Sequence, residues 1–81
     1  MLTTGNQLKA ARALAGMDQS TLAKAAGLSP NTIGAMEKRG AETLTSGLDT
    51  IRAITKVLEA AGVELINDGR PGVRLSARAA G

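Results

Sequence analysis

The sequence predicts a mainly α domain, four short helices followed by two short strands. Three observations predict it. Apolar residues recur at three- and four-residue spacing from Leu8 to Leu58. Glycines and small polar capping residues break that pattern at short intervals. After Gly62 the period changes to an alternation around a cluster of turn residues. At 81 residues the chain has room for one domain, and a domain of this size buries only about 60% of its unfolded surface.

Each element follows from local chemistry. Thr4 and Gln7 make a T-x-x-Q capping box, after which Leu8, Ala11, Leu14 and Ala15 share a helix face and Gly16 offers a left-handed stop. The first helix is therefore expected at about 5–15. Asp18 caps a second, at 19–26, with Leu22, Ala23 and Ala26 facing inward and Gly27 ending it. Ser29 caps a third, at 30–39, with Pro30 in the first turn, where a missing N–H costs nothing; Ile33 and Met36 point inward and Gly40 stops it. The polar loop "AETLTSG" is anchored by Leu44. Ser46 with Asp49 starts a fourth helix, at 46–61, whose stripe is Leu48, Ile51, Ile54 and Leu58. "VELI" and "VRLS" then alternate as strands within 63–76 around the turn "NDGRPG", with Val63, Leu65, Val73 and Leu75 on one face and Glu64 and Arg74 on the other. Residues 77–81 read as a flexible tail.

Composition narrows the function. There are no Phe, Tyr or Trp residues, so the core is built from Leu, Ile, Val, Met and Ala, and platforms that stack bases on rings are disfavoured. Without Cys or His, disulfides, the usual zinc sites and Cys- or His-based catalysis are excluded. No cofactor or metal is expected, and no residue set combines a nucleophile, a base and a pocket, so an enzyme is not expected. The net charge of +3 and pI of about 10.0 permit an anionic partner without requiring one. No apolar run approaches the roughly 20 residues of a membrane span and no signal-peptide pattern opens the chain, so a cytoplasmic location is expected by default.

The stretch "QSTLAKAAGLSPNTIGAMEK" is the most informative. Counting from Gln19, the fifth residue is Ala23, the ninth Gly27, the fifteenth Ile33 and the eighteenth Met36. A small side chain lets two helices cross closely, a glycine allows the tight turn, and two aliphatic plugs seat the second helix while leaving its other side open. This is the helix-turn-helix spacing. From Leu8 to about Leu58 the chain resembles the phage-repressor-like (Xre/Cro-type) helix-turn-helix transcription regulators, and its strand-forming ending resembles a short bacterial subgroup of them. On that resemblance residues 1–62 form the DNA-binding unit, and Arg12 and Glu37 stand where family members place a shielded ion pair.

The same resemblance implies the DNA contacts. The third helix would enter the major groove by its N-terminus. Ser29, Pro30, Asn31, Thr32 and Ala35 would face base edges, with Asn31 the best reader of adenine and Pro30 and Ala35 limited to apolar contact. Gln19, Lys38 and Arg39 would contact phosphates. Taken singly, each has a plainer reading: Gln19 a helix-start residue, Asn31 a local hydrogen-bonder, Lys38 and Arg39 charges answering the helix dipole. Lys9, Lys24, Arg52 and Lys56 read as solvated faces, Met17 and Met36 as core fillers, and Arg70, Arg74 and Arg78 as solubilising charge around the strands.

Two strands alone are marginal in water. They either form an intrachain hairpin on the fourth helix or pair with a second chain, in which case Val63, Leu65, Ile66, Val73 and Leu75 are the dimerisation residues. The partners expected are double-stranded DNA and a second copy, without a membrane. A protein-interaction module of antitoxin or anti-activator type is the alternative, favoured by the thinness of the base-reading set.

Overall fold

The computed structural model describes residues 1–76; the tail expected at 77–81, with Arg78, lies outside them. Four helices, α1 (Gly5–Leu14), α2 (Gln19–Ala26), α3 (Pro30–Glu37) and α4 (Leu48–Ala60), precede the strands β1 (Val63–Ile66) and β2 (Gly72–Leu75).

Three of the four helices start on a side-chain cap. Thr4 accepts from the Gln7 N–H at 3.1 Å, Asp18 from the Thr21 N–H at 2.7 Å, and Ser29 from the Thr32 N–H at 3.3 Å. Gly16 and Gly27, at φ +70° and +72°, supply the left-handed residues that end α1 and α2. Three local expectations are corrected. The reciprocal half of the α1 capping box is displaced, because Gln7 Oε1 accepts from the N–H of Thr3 at 2.8 Å, not from that of Thr4. α3 ends at Glu37, with Lys38 as its C-cap. α4 begins at Leu48 behind Gly47, without a side-chain cap from Ser46, and Leu48 itself is 53% exposed and outside the expected stripe.

Leu8, Leu22, Ile33, Ile54, Leu58 and Val63 are fully enclosed, and Leu2 and Leu44 close the core from the chain start and the α3–α4 loop. The two loops are stitched together where the Leu44 N–H donates to the Thr3 carbonyl at 2.8 Å. α3 packs on α1 and α2, and the strands pack on α1 and α4.

The strands pair with each other in an antiparallel hairpin, Val63 opposite Leu75 and Leu65 opposite Val73. The intrachain arrangement is thus the one present. It corrects one assignment: Val63, 1% exposed, is part of the protomer's own core and has no surface to offer a second chain. Leu65 and Val73 lean on that core from its edge, Ile66 is half-buried, and Leu75 is 48% exposed. Gln7 fastens the hairpin to α1: its buried amide nitrogen donates to the carbonyls of Ile66 and Gly72, each at 3.2 Å, and to Asn67 Oδ1 at 3.1 Å.

Candidate nucleic-acid interface

The hinge between α2 and α3 is built as the residue spacing requires. Ala23 is fully buried where the helices cross, and the Leu28 N–H returns to the Ala23 carbonyl at 2.8 Å, closing the turn around Gly27. Ile33 and Met36 then seat α3 against the core. The opposite side of α3 stays uncovered: Pro30, Asn31 and Ala35 are exposed, as is Ser29 ahead of the helix, while Thr32 is half-buried.

That open side forms one wall of a recess of about 590 Å³. Pro30, Asn31, Gly34 and Ala35 line it from α3, Gln19 from the start of α2, and Lys9 from α1, with Lys38 and Glu37 at the far end. Glu37 is the only acid in this lining, and it is neutralised in place. Arg12 meets it as a fork, Nε to Oε2 at 2.7 Å and Nη2 to Oε1 at 3.0 Å, the two-pronged geometry that suits guanidinium and carboxylate. A third prong, Nη1, donates to the Met17 carbonyl at 3.0 Å. The Glu37 hydrogen bond raises the Arg12 guanidinium further above its already high range, against the opposing effect of burial. The charges left to act in the recess are the ammonium groups of Lys9 and Lys38.

Gln19 is held rather than loose. Its Nε2 donates to Glu37 Oε1 at 3.2 Å, and its carboxamide lies so close over α3 that a Cβ on Gly34 would stand 3.5 Å from Oε1. One acid therefore ties together α1, the N-terminus of α2 and the C-terminal end of α3. Beside Gln19, the Asp18 carboxyl is held below the usual carboxylate range, first by the Thr21 N–H and then by the Thr21 side chain.

The structure gathers Gln19, Pro30, Asn31, Ala35 and Lys38 around one recess. It sets the others apart. Ser29 is occupied by capping, its hydroxyl also 3.2 Å from that of Thr32. Arg39 turns away from Lys38, Nη2 reaching the Thr43 carbonyl at 2.9 Å, and shares a neighbouring recess with Thr32, Ala35, Thr45 and Ser46. Lys9, expected on a solvated face, is exposed and also lines this recess. Its spacing from Arg12 is a weak sign of the latter, since i and i+3 residues of a helix lie on adjoining sides.

A helix-turn-helix unit with one helix braced by its neighbours and open on its outer side defines the class. The helix-turn-helix family model matches residues 8–65, and the chain belongs to this family, the phage-repressor-like (Xre/Cro-type) DNA-binding regulators. No curated protein is significantly similar to the chain. Among the described residues no helix is long and apolar enough to cross a membrane.

Proposed function

We propose that the chain is a sequence-specific regulator of transcription in the cytoplasm, binding double-stranded DNA as a homodimer on an inverted repeat with half-sites about 34 Å apart, one turn of the duplex. One observation carries this reading: the open side of α3 borders a recess in which both unpaired charges are positive and the only acid is already matched by Arg12.

In this reading the leading end of α3 enters the major groove. Asn31, exposed in the first turn, pairs bidentately with adenine, and Pro30 and Ala35 lie against thymine methyl groups. Lys38 and Lys9 neutralise phosphates on either side of α3. Gln19, whose side-chain nitrogen is committed to Glu37, meets the backbone chiefly through its main-chain N–H at the start of α2. Ser29, Thr32 and Arg39 contribute from the flank of α3, Ser29 and Thr32 by hydroxyl and Arg39 by the part of its guanidinium not held on Thr43. Occlusion of a promoter is the simplest way for so small a protein to repress.

Footprinting on the DNA upstream of its own coding region tests the reading. Asn31→Ala should relax preference at one base pair, at a cost of about 1–3 kcal/mol, whereas Lys38→Ala should weaken all sequences alike. Protection that is indifferent to both changes would remove α3 from the groove. Retention of the fold with no protected site would instead favour the protein-interaction module, for which the small apolar groups of Pro30, Gly34 and Ala35 are a suitable surface.

A further inference from the structure

The turn "NDGRPG" between β1 and β2 carries an unmatched charge on a stiff backbone. Arg70 stands between Gly69, left-handed at φ +80°, and Pro71, whose ring fixes its own φ and disfavours helical backbone in the residue before it. The turn is also tied down at both ends. Gln7 Nε2 holds the carbonyls of Ile66 and Gly72. Asn67 donates from Nδ2 to the Met1 carbonyl at 2.8 Å and accepts from Thr3 Oγ1 at 3.0 Å. Arg70 is exposed, and among the described residues it enters no ion pair, whereas Arg12 and Arg74 are matched by Glu37 and Glu64.

Arg70 and Pro71 border a recess of about 410 Å³ with Asn6 and Ala10 of α1 and Ala41 of the α3–α4 loop. This recess adjoins the one along the open side of α3. Asn6 and Ala10 lie one helical turn apart on α1, and Lys9, beside both, lines the α3 recess. The chain leaving α3 makes the same passage, Lys38 bordering one recess and Ala41 the other. Between them the Gly40 carbonyl accepts from the Asn6 N–H at 2.8 Å, which holds the two walls together. Among the described residues no acid lines the hairpin recess, and Glu37, the acid of the α3 recess, is matched by Arg12. Glu42 and Asp68 are exposed nearby and border neither. Lys38, Lys9 and Arg70 therefore share one connected surface of positive charge.

We propose that the hairpin recess is a second DNA contact, in which Arg70 clamps a phosphate of the duplex that α3 reads. This rests on the DNA-binding reading and extends it from the helix-turn-helix to the hairpin turn. A guanidinium offers parallel N–H donors that match two phosphate oxygens, and the exposed amide of Asn6 supplies a further donor. Ala10, Ala41 and Pro71 give an uncharged wall for the deoxyribose. Duplex DNA carries a charge about every 1.7 Å along its axis, so a surface continuous with one phosphate site meets others. Because the turn is already held, Arg70 loses little freedom on binding. Contacts of this kind fix position and carry no sequence information, so the clamp adds affinity and leaves specificity to Asn31.

Salt dependence of binding by the full chain tests this, on the duplex upstream of its own coding region and on a random-sequence duplex of equal length. Circular dichroism first shows that each variant is folded. Arg70→Gln and Arg74→Gln remove the same charge from the same hairpin, so a difference between them reports place and not net charge. Arg70→Gln is expected to lower the slope of log K against log salt by about 0.9 for each chain bound, on both duplexes. It should also lose hydroxyl-radical protection at sugars that Lys38→Ala still protects. Arg74→Gln is expected to keep the wild-type slope, as is Arg70→Lys, which retains the charge. A wild-type slope in Arg70→Gln beside a shallower one in Lys38→Ala overturns the clamp and leaves the helix-turn-helix reading standing. An equal drop in Arg74→Gln would mean diffuse attraction and overturns the clamp too. So does a drop in Arg70→Lys, which would trace the loss to the turn itself. A wild-type chain that binds neither duplex at low salt overturns the DNA-binding reading and this proposal with it.

Discussion

Arg12 and Glu37 meet with side chains only 17% and 5% exposed, and the consequence of losing one is asymmetric. Exchanging a shielded ion pair for apolar residues is often nearly neutral, because desolvation offsets attraction. Removing one partner is not. Arg12→Ala leaves the more deeply buried carboxylate with Gln19 alone and is expected to cost about 3–5 kcal/mol in urea unfolding. Wild-type stability in that variant would show that Glu37 finds water once Arg12 is gone. Because Gln19 hangs on the same carboxylate, the variant also loosens the start of α2 against α3. The sequence supplied this pair only through the family resemblance. Nothing in the spacing of Arg12 and Glu37 distinguishes them from other charges, and Gln19 reads locally as a helix-start residue.

The helices are positioned by their ends. α1 begins almost in contact with the end of α3: the Asn6 N–H donates to the Gly40 carbonyl at 2.8 Å, and a Cβ on Gly5 would lie 2.5 Å from the Met36 carbonyl oxygen and 2.8 Å from the Gly40 nitrogen. These obstacles are backbone, so they cannot rotate aside. Gly5→Ala is expected to destabilise by about 1–3 kcal/mol, as overpacking does, although alanine is the better helix former; a raised melting temperature would contradict the close approach. At α2 the cap carries a pH dependence. The Asp18 carboxyl is held below its usual range by the Thr21 N–H, so its contribution is present above the ordinary aspartate pKa of about 3.9 and fades as pH falls through the lower folded value. Asp18→Asn, which caps comparably, should flatten the acid side of the stability profile; an unchanged profile would place the acid sensitivity elsewhere.

Across the whole molecule the formal charge of +3 is small, so affinity for DNA depends on where charge is held rather than on its total. Lys9 borders the recess from α1 and Lys38 from the cap that follows α3, a juxtaposition absent from any local reading. Each phosphate neutralised on duplex DNA adds about 0.9 to the slope of log K against log salt. Lys9→Ala and Lys38→Ala are each expected to reduce that slope by about this amount, while Arg74→Ala, on the hairpin and paired with Glu64, leaves it unchanged. Equal slopes for all three in filter-binding titrations would mean that the recess does not meet phosphate.

By itself the sequence determined the order and kind of the elements, the glycine turn between α2 and α3, and the caps at Thr4, Asp18 and Ser29. All of these are decided within about four residues, by the reach of a capping oxygen or the freedom of a glycine. The tertiary structure alone decided that Gln7 spans to Ile66 and Gly72, that Arg39 folds onto Thr43 while Lys38 joins Lys9, and that Val63 belongs to the core and not to an outer surface. Periodicity tells which side of an element is buried. What lies against that side depends on how distant segments meet, and so Leu48, apolar and in register, still ends in solvent.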